Sequence, residues 1–501
     1  MSEKKPNIIL LFNDHQAFHG HGQLGIGPKI KKPNFERLAN EGVEFTQAYT
    51  ACPLCGPARR SILTGLFPHN HGEIKNESNE DYRNELYLNT LARNGYENYY
   101  FGKWHAGRGT ALDFNCKGFS CKGYGNPYTT KEYDEYRKRN ELPFIQVEIQ
   151  KSFQDPISNV IGLKEGELYE PRFPAYSEYA TGIMTTPKET HEAYFLIDMA
   201  CNTLRNIAKR ANSKPFHMRV DFWGPHEPYF STQEFIDLYN ADDIPEHPNF
   251  IDNLDDKPEL YKKQVGDLLA KDNQLILPNP LPWSEWQKVL AINYAEQTLI
   301  DEAGGILLNT LEELGLSENT VLMWGTDHGD ALACHGGHFD KDAYMAQEVV
   351  RVPLAIRYPD VIPSGQKSEK LVSTLDFGPT FLDAAGLKYS SPVDGRSLLP
   401  LCKDPTIEWR KDLMCETHGH FTTIVGRMIV DDRYKYVYNE GYMDEFYDLK
   451  KDPFELKNLI KSNQHSNVLN SLKERLRIWR KKTGDNVSFS DIRGKRLTNF
   501  H

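Results

Sequence analysis

An α/β fold, with a doubly wound and mostly parallel sheet and a smaller C-terminal α+β domain, is what this 501-residue sequence predicts. Three observations carry the prediction. Four short apolar runs, Ile8–Phe12, Tyr99–Phe101, Met218–Trp223 and Val321–Trp324, have the unbroken hydrophobicity of strands buried on both faces. Helical spacing of apolar residues lies between them, over 193–210 and over 294–314, where Gly315 is a stop. Beyond about residue 386 the texture changes: 411–450 is tyrosine-rich and alternating, as in Tyr434–Tyr438, and Leu469, Leu472, Leu476 and Trp479 mark one face of a helix.

Each apolar run leads at once into residues capable of chemistry. The first runs into Asn13-Asp14-His15, the second into Gly102-Lys103-Trp104-His105, the third into Gly224-Pro225-His226 and the fourth into Thr326-Asp327-His328. Ligands of parallel sheets bind beyond the carboxyl ends of the strands, so these clusters are expected on one rim although hundreds of residues separate them. A catalytic domain over 1–385 and a C-terminal domain over 386–501 are expected. Two stretches, 108–180 (rich in Gly, Tyr, Lys and Glu) and 231–285 (rich in Pro, Asp and Asn), do not fit the alternation and read as surface insertions that shape a binding site.

Composition narrows the function. A formal net charge of −11 argues against a nucleic-acid partner, which needs clustered cations. It leaves acidic substrates open, since a basic pocket can sit on an acidic protein. Eight cysteines in this length make no disulfide scaffold. Cys116 and Cys121 are spaced to allow a pair, but with no sign of an oxidising compartment they read as unpaired thiols. No apolar run reaches the roughly 20 residues of a membrane span, and Ile8–Phe12 is too short for a signal peptide. The chain as given reads as cytoplasmic, and as periplasmic or secreted if a leader has been removed.

The densest signal is residues 55–65, Cys-Gly-Pro-Ala-Arg-Arg-Ser-Ile-Leu-Thr-Gly. Pro57 suits the first turn of a helix, which sets Cys55 at a helix N-terminus where free N–H groups favour an anion. The same electrostatics would make an unmodified Cys55 a low-pKa thiol. The frame Cys55-x-Pro57-x-Arg59 with Thr64-Gly65 resembles the signature of the type I sulfatases, formylglycine-dependent members of the alkaline phosphatase superfamily. Further motifs recur in that family's order: the Pro6-Asn7-Ile8 strand ending in Asp14, Leu91–Tyr96 with Gly102–His105, Gly224–Pro228, Thr326–Gly329, Arg351–Leu354, and in the tail Asp394-Gly395, Ser397-Leu398, Tyr447–Leu449 and Asp452-Pro453.

The resemblance implies an alkaline-phosphatase-like sheet and hydrolysis of a sulfate monoester. Cys55 would be oxidised to formylglycine by a maturation enzyme, and the hydrated aldehyde would be the nucleophile. Asp14, Asp327 and His328, with position 55, would bind a divalent cation, calcium by resemblance. Arg59 and Lys103 would hold the nucleophile and the sulfate, and Asp327 would assist its deprotonation. His226 and Lys341 would face the leaving oxygen, one of them protonating it, and His105 would deprotonate the second hydroxyl to expel sulfate. A sulfated sugar or polysaccharide-derived oligosaccharide is the expected substrate, because the polar and aromatic insertions suit such a pocket.

Several histidines read as structural: His69, His71 and the turn Cys334-His335-Gly-Gly-His338, whose spacing fits no common zinc frame. His418 and His420 are placed at the pocket mouth. One departure stands out. Many sulfatases carry two consecutive aspartates after the first strand, where this chain has Asp14-His15. Phosphonate monoester and phosphodiester hydrolases of the superfamily also lack the second aspartate, which keeps that activity as the alternative. A nitrogen ligand at His15 would favour manganese, unless His15 points away. A non-catalytic glycan-binding descendant is the remaining rival, opposed by the intact set of candidate residues.

Overall fold

The structure is a computed structural model that describes residues 5–18, 26–76, 80–152, 163–172, 180–211, 214–265, 281–338, 340–341, 344–420 and 423–493. Its main sheet contains β1 (Asn7–Asn13), β2 (Val43–Tyr49), β3 (Glu97–Lys103), β4 (Cys116–Cys121), β5 (Phe216–Asp221), β6 (Thr320–Thr326), β7 (Arg351–Arg357) and β8 (Gln366–Ser368). The order is β8-β2-β7-β6-β1-β5-β3-β4, with Val372–Ser373 also paired to β2. β1 pairs in parallel with β5 and β6, and β3 with β4 and β5. Only β7 runs against its neighbours.

The apolar runs are central strands, and their continuity follows from burial on both faces. Every residue of β1 is buried. Ile9 and Leu11 face one core with Leu196, Leu299 and Ala303, whereas Ile8, Leu10 and Phe12 face another with Ile62, Phe377 and Phe381. Each such side chain contributes about 1.5–3 kcal/mol. The covering helices are α1 (Cys55–Thr64), α2 (Glu192–Ala208) and α3 (Trp283–Glu313). α3 starts eleven residues before the expected 294. Its first turns find their own apolar partners, Trp286, Val289 and Ile292 packing with Tyr229 and Leu281. At Gly304 a Cβ would lie 2.3 Å from the Trp324 ring, so α3 sits against β6 only with glycine there.

The stretch 108–180 is more than a surface insertion. It supplies the edge strand β4, and its Phe119, Tyr133, Tyr136 and Phe144 join the core. Bulky aromatic side chains, rather than an aliphatic run, do the burying, which hid the segment from a reading based on apolar periodicity. Val147–Ser152, Leu168–Tyr169 and Ala180–Met184 form a second small sheet with Tyr229–Thr232. At the C-terminal end, Leu413–Thr417, Gly426–Val430, Tyr434–Asn439 and Glu445–Asp448 make an antiparallel sheet. Leu469, Leu472 and Leu476 of α4 (Ser466–Thr483) pack onto it, as the spacing predicted. Cys116 and Cys121 are unbridged. Among the described residues no helix is long and apolar enough to cross a membrane.

Candidate active site

The carboxyl ends of the parallel strands meet the N-terminus of α1. Asp14 follows β1, Lys103 ends β3, Asp221 ends β5 and Asp327 follows β6. Gly102 has φ +122°, and a Cβ there would fall 1.9 Å from the Asp221 carbonyl oxygen, so only glycine lets β3 end beside β5 in this way. Arg59, one turn into α1, ties the rim together. Its guanidinium donates to Asp327 (Nε, 2.9 Å), to Asp14 (2.8 Å), to Asp221 (3.1 Å) and to the Lys103 carbonyl (3.0 Å). These bonds use four of its five N–H groups. Arg59 therefore bridges these carboxylates.

Asp14, Cys55, Asp327 and His328 are all buried, and one ligand atom from each lies within 4.8 Å of the others. Cys55 Sγ is 3.8 Å from Asp14 Oδ1 and 3.1 Å from His328 Nε2. His328 Nδ1 donates to the Gly329 carbonyl at 2.8 Å, which leaves the Nε2 lone pair aimed at position 55. Burial opposes the charge of Asp14, yet Lys103 and Arg59 hold its carboxyl well below the usual range. Two carboxylates, an imidazole nitrogen and the Cys55 Sγ form a donor set that fits a divalent cation. His15 is not in this set. Its side chain turns away to Glu227 Oε2 (3.4 Å), Asp340 Oδ1 (3.3 Å) and Asp330 Oδ2 (3.7 Å). The expected nitrogen ligand for manganese at His15 is accordingly absent from this set.

The Cys55 thiol does not behave as the sequence suggested. Burial, then the Asp14 carboxylate, pushes it up, outweighing any help from the helix end.

The remaining predicted residues line the space in front of this set. Lys103 Nζ is 2.6 Å from Asp14 Oδ2 and 3.9 Å from the Tyr124 ring centre. Lys341 Nζ is 2.6 Å from Asp340, and although burial opposes its charge, Asp340 keeps the ammonium protonated. Burial and Lys103 drive both His105 and His226 well down, so each is a neutral imidazole. His105 Nδ1 has no hydrogen-bond partner among the described residues. His226 Nδ1 lies 2.9 Å from the Glu227 carbonyl and 3.2 Å from the Tyr124 hydroxyl. His420 is pushed down to about 4 by burial, then by Lys341, with Asp340 opposing. His69 and His71 are structural, bonded to Glu416 and Ser61. His335 contacts Glu348, and His338 stacks on Tyr344.

Tyr124, Asp221, Glu227 and Asp340 escaped the sequence reading. Asp221, Glu227 and Asp340 each adjoin a residue or motif that was noticed. Tyr124 carried no signal, because it comes from the irregular 108–180 stretch and only folding brings it to His226.

Glu192 of α2 anchors the loop that bears His226. Its Oε1 accepts from Trp223 N and Gly224 N, each at 3.1 Å. Burial pushes its carboxyl up to about 8. A folded-state pKa raised above the unfolded value contributes stability that is present below the unfolded pKa, near 4.5, and is lost as pH rises through about 8. Glu192→Ala should cost about 1–3 kcal/mol by stranding buried N–H groups. Glu192→Gln should flatten the loss of melting temperature between pH 6 and 9. Calorimetry across that range checks both, and an unchanged wild-type slope in Glu192→Gln would refute the assignment.

Comparison with known proteins agrees with this geometry. A family profile described as "Sulfatase" matches residues 6–387, and one described as "N-sulphoglucosamine sulphohydrolase, C-terminal" matches 334–482. An N-acetylglucosamine-6-O-sulfatase of Bacteroides thetaiotaomicron is 27% identical, over 96% of this chain and 88% of its own length. An arylsulfatase of Clostridium perfringens is 27% identical, over 94% and 93%. The crystal structure of the phosphonate monoester hydrolase of Agrobacterium radiobacter superposes with a TM-score of 0.73 at 22% identity, covering 96% of each chain, which is a likeness of fold.

Proposed function

The chain belongs to the sulfatase family, and on that premise we propose that it hydrolyses a sulfate monoester on a sugar, releasing the alcohol and inorganic sulfate. The observation that carries this reading is the meeting of Cys55 with Asp14, Asp327 and His328 on a rim that also presents Lys103, His105 and Lys341. A calcium ion on the Asp14–Asp327–His328 donors, and an aldehyde made from Cys55 by a maturation enzyme, would supply Lewis acidity and a hydrated nucleophile.

The chain's own residues do the rest. Arg59 keeps Asp14 ionised and aims both Asp14 and Asp327, so the site is organised before substrate arrives. Lys103 is ion-paired with Asp14 and has N–H groups for a sulfate oxygen. Lys341, charged beside Asp340, delivers a proton to the leaving oxygen. Neutral His105 is the base, accepting a proton at a ring nitrogen. Buried walls exclude water from these charges and strengthen them. An N-acetylated amino sugar carrying a 6-sulfate is the first substrate to try, given the relative of that name.

The position of His15 outside the ligand set leaves only two carboxylates there and favours, as a second reading, hydrolysis of a phosphonate monoester or phosphodiester. One experiment separates them. Protein matured by a co-expressed formylglycine-generating enzyme is offered N-acetylglucosamine 6-sulfate, an aryl sulfate, an aryl phosphodiester and an aryl phosphonate monoester. The sulfate esters should show the higher kcat/KM. A higher value for either phosphorus ester would overturn the first reading in favour of the second.

A further inference from the structure

We propose that His15, His226 and Glu227 form a second divalent-cation site, suited to Zn²⁺, beside the Asp14–Cys55–Asp327–His328 set. The three side chains are buried, and one ligand atom from each lies within 4.8 Å of the others. Glu227 Oε2 is 3.4 Å from His15 Nδ1 and 3.3 Å from His226 Nδ1. The two imidazole rings stand 4.7 Å apart, tilted by 51°.

These separations are too long for good N–H···O hydrogen bonds, which run at about 2.7–3.2 Å. Neither ring nitrogen of His15, nor Glu227 Oε2, has a hydrogen-bond partner among the described residues. Buried polar atoms are nearly always satisfied, so such a group needs an explanation. A bound ion supplies one. Ligands about 2.1 Å from a tetrahedral zinc lie about 3.4 Å from one another, because a tetrahedron's edge is about 1.63 times its radius. The two Glu227 separations match that edge.

The surroundings fit as well. When His15 Nδ1 faces a cation, its Nε2 carries the proton and points at Asp340 Oδ1 (3.3 Å) and Asp330 Oδ2 (3.7 Å). A metal-bound histidine almost always donates its other N–H to such a carboxylate. Tyr229 in turn donates to Asp330 at 3.0 Å. The acidic groups around His15, Glu227, Asp330 and Asp340, outnumber the cation Lys341, which is already paired with Asp340, so the neighbourhood suits a cation. His226 is neutral with or without the ion. Without it, Nδ1 donates to the Glu227 carbonyl; with it, the proton moves to Nε2 and the Tyr124 hydroxyl satisfies that carbonyl at 3.0 Å. Binding therefore asks for a tautomer change at His226 and for the carboxylate form of Glu227.

Two imidazoles and one carboxylate leave a fourth position for water or a substrate oxygen, the arrangement of an open zinc site. The proposal holds whichever ester is cleaved. To test it, the full chain is stripped with chelator, dialysed against excess Zn²⁺, desalted and assayed for zinc by mass spectrometry. Wild type should retain two equivalents. Asp14→Asn should lose one of them, and Glu227→Gln, which keeps shape but removes charge, should lose the other. His15→Phe serves as a second variant, with circular dichroism confirming the fold of each. One equivalent in wild type, or two in both folded Glu227→Gln and His15→Phe, would overturn the site without touching the sulfatase reading, which depends on turnover.

Discussion

Cys55→Ala is expected to lower kcat by roughly 10⁴- to 10⁶-fold, the loss seen when a covalent nucleophile is removed and only binding and electrostatics remain. The fold should survive, because the substitution removes one buried sulfur from the first turn of α1 and leaves Arg59 and its partners in place. Protein made without the maturation enzyme should be impaired to a similar degree. Its thiol is held up by burial and by Asp14, and it offers no second hydroxyl from which sulfate can be expelled. Initial rates on an aryl sulfate, paired with a peptide mass spectrum over residues 50–70, check this. Wild-type turnover from a chain whose position 55 is still a thiol would sink it.

Arg59→Ala should cost more in stability than any other single change at the rim. Arg59 is buried, and its guanidinium meets Asp14, Asp221 and Asp327 at once. Removal leaves three buried carboxylates with Lys103 and Arg219 as the nearby cations. Breaking a buried pair from one side costs about 3–5 kcal/mol, and here several pairs break together. Arg59→Lys should recover part of this, since a single ammonium restores charge but cannot fork to three acceptors. Added calcium should recover part too, by binding the native state at Asp14 and Asp327. Urea denaturation of wild type and both variants, with and without calcium, reads all of this. An Arg59→Ala midpoint equal to wild type would show that the carboxylates do not depend on it.

The strands were legible because burial on both faces writes itself as uninterrupted apolar residues, as in Ile8–Phe12. The candidate cluster was legible because a parallel sheet delivers its strand ends to one rim, so Asp14, Lys103, His226 and Asp327 could be grouped from position in the chain alone. Tyr124 could not be grouped that way. Its stretch buries aromatic residues without a period, and its approach to Lys103 and His226 exists only after folding. The partners of Arg59 were equally hidden, since a motif names a residue type but does not say which acceptors its N–H groups will meet.

What the sequence by itself determined is the order of elements, the family and the identity of the groups gathered at the rim, since these follow from local pattern and from fixed spacing along the chain. What only the tertiary structure decided is how those groups divide their bonds. Arg59 serves carboxylates, the Cys55 thiol is pushed up and not down, and His15 leaves the first ligand set for Glu227. Charge, burial and hydrogen-bond valence are properties of a neighbourhood in three dimensions, and residues hundreds of positions apart supply it.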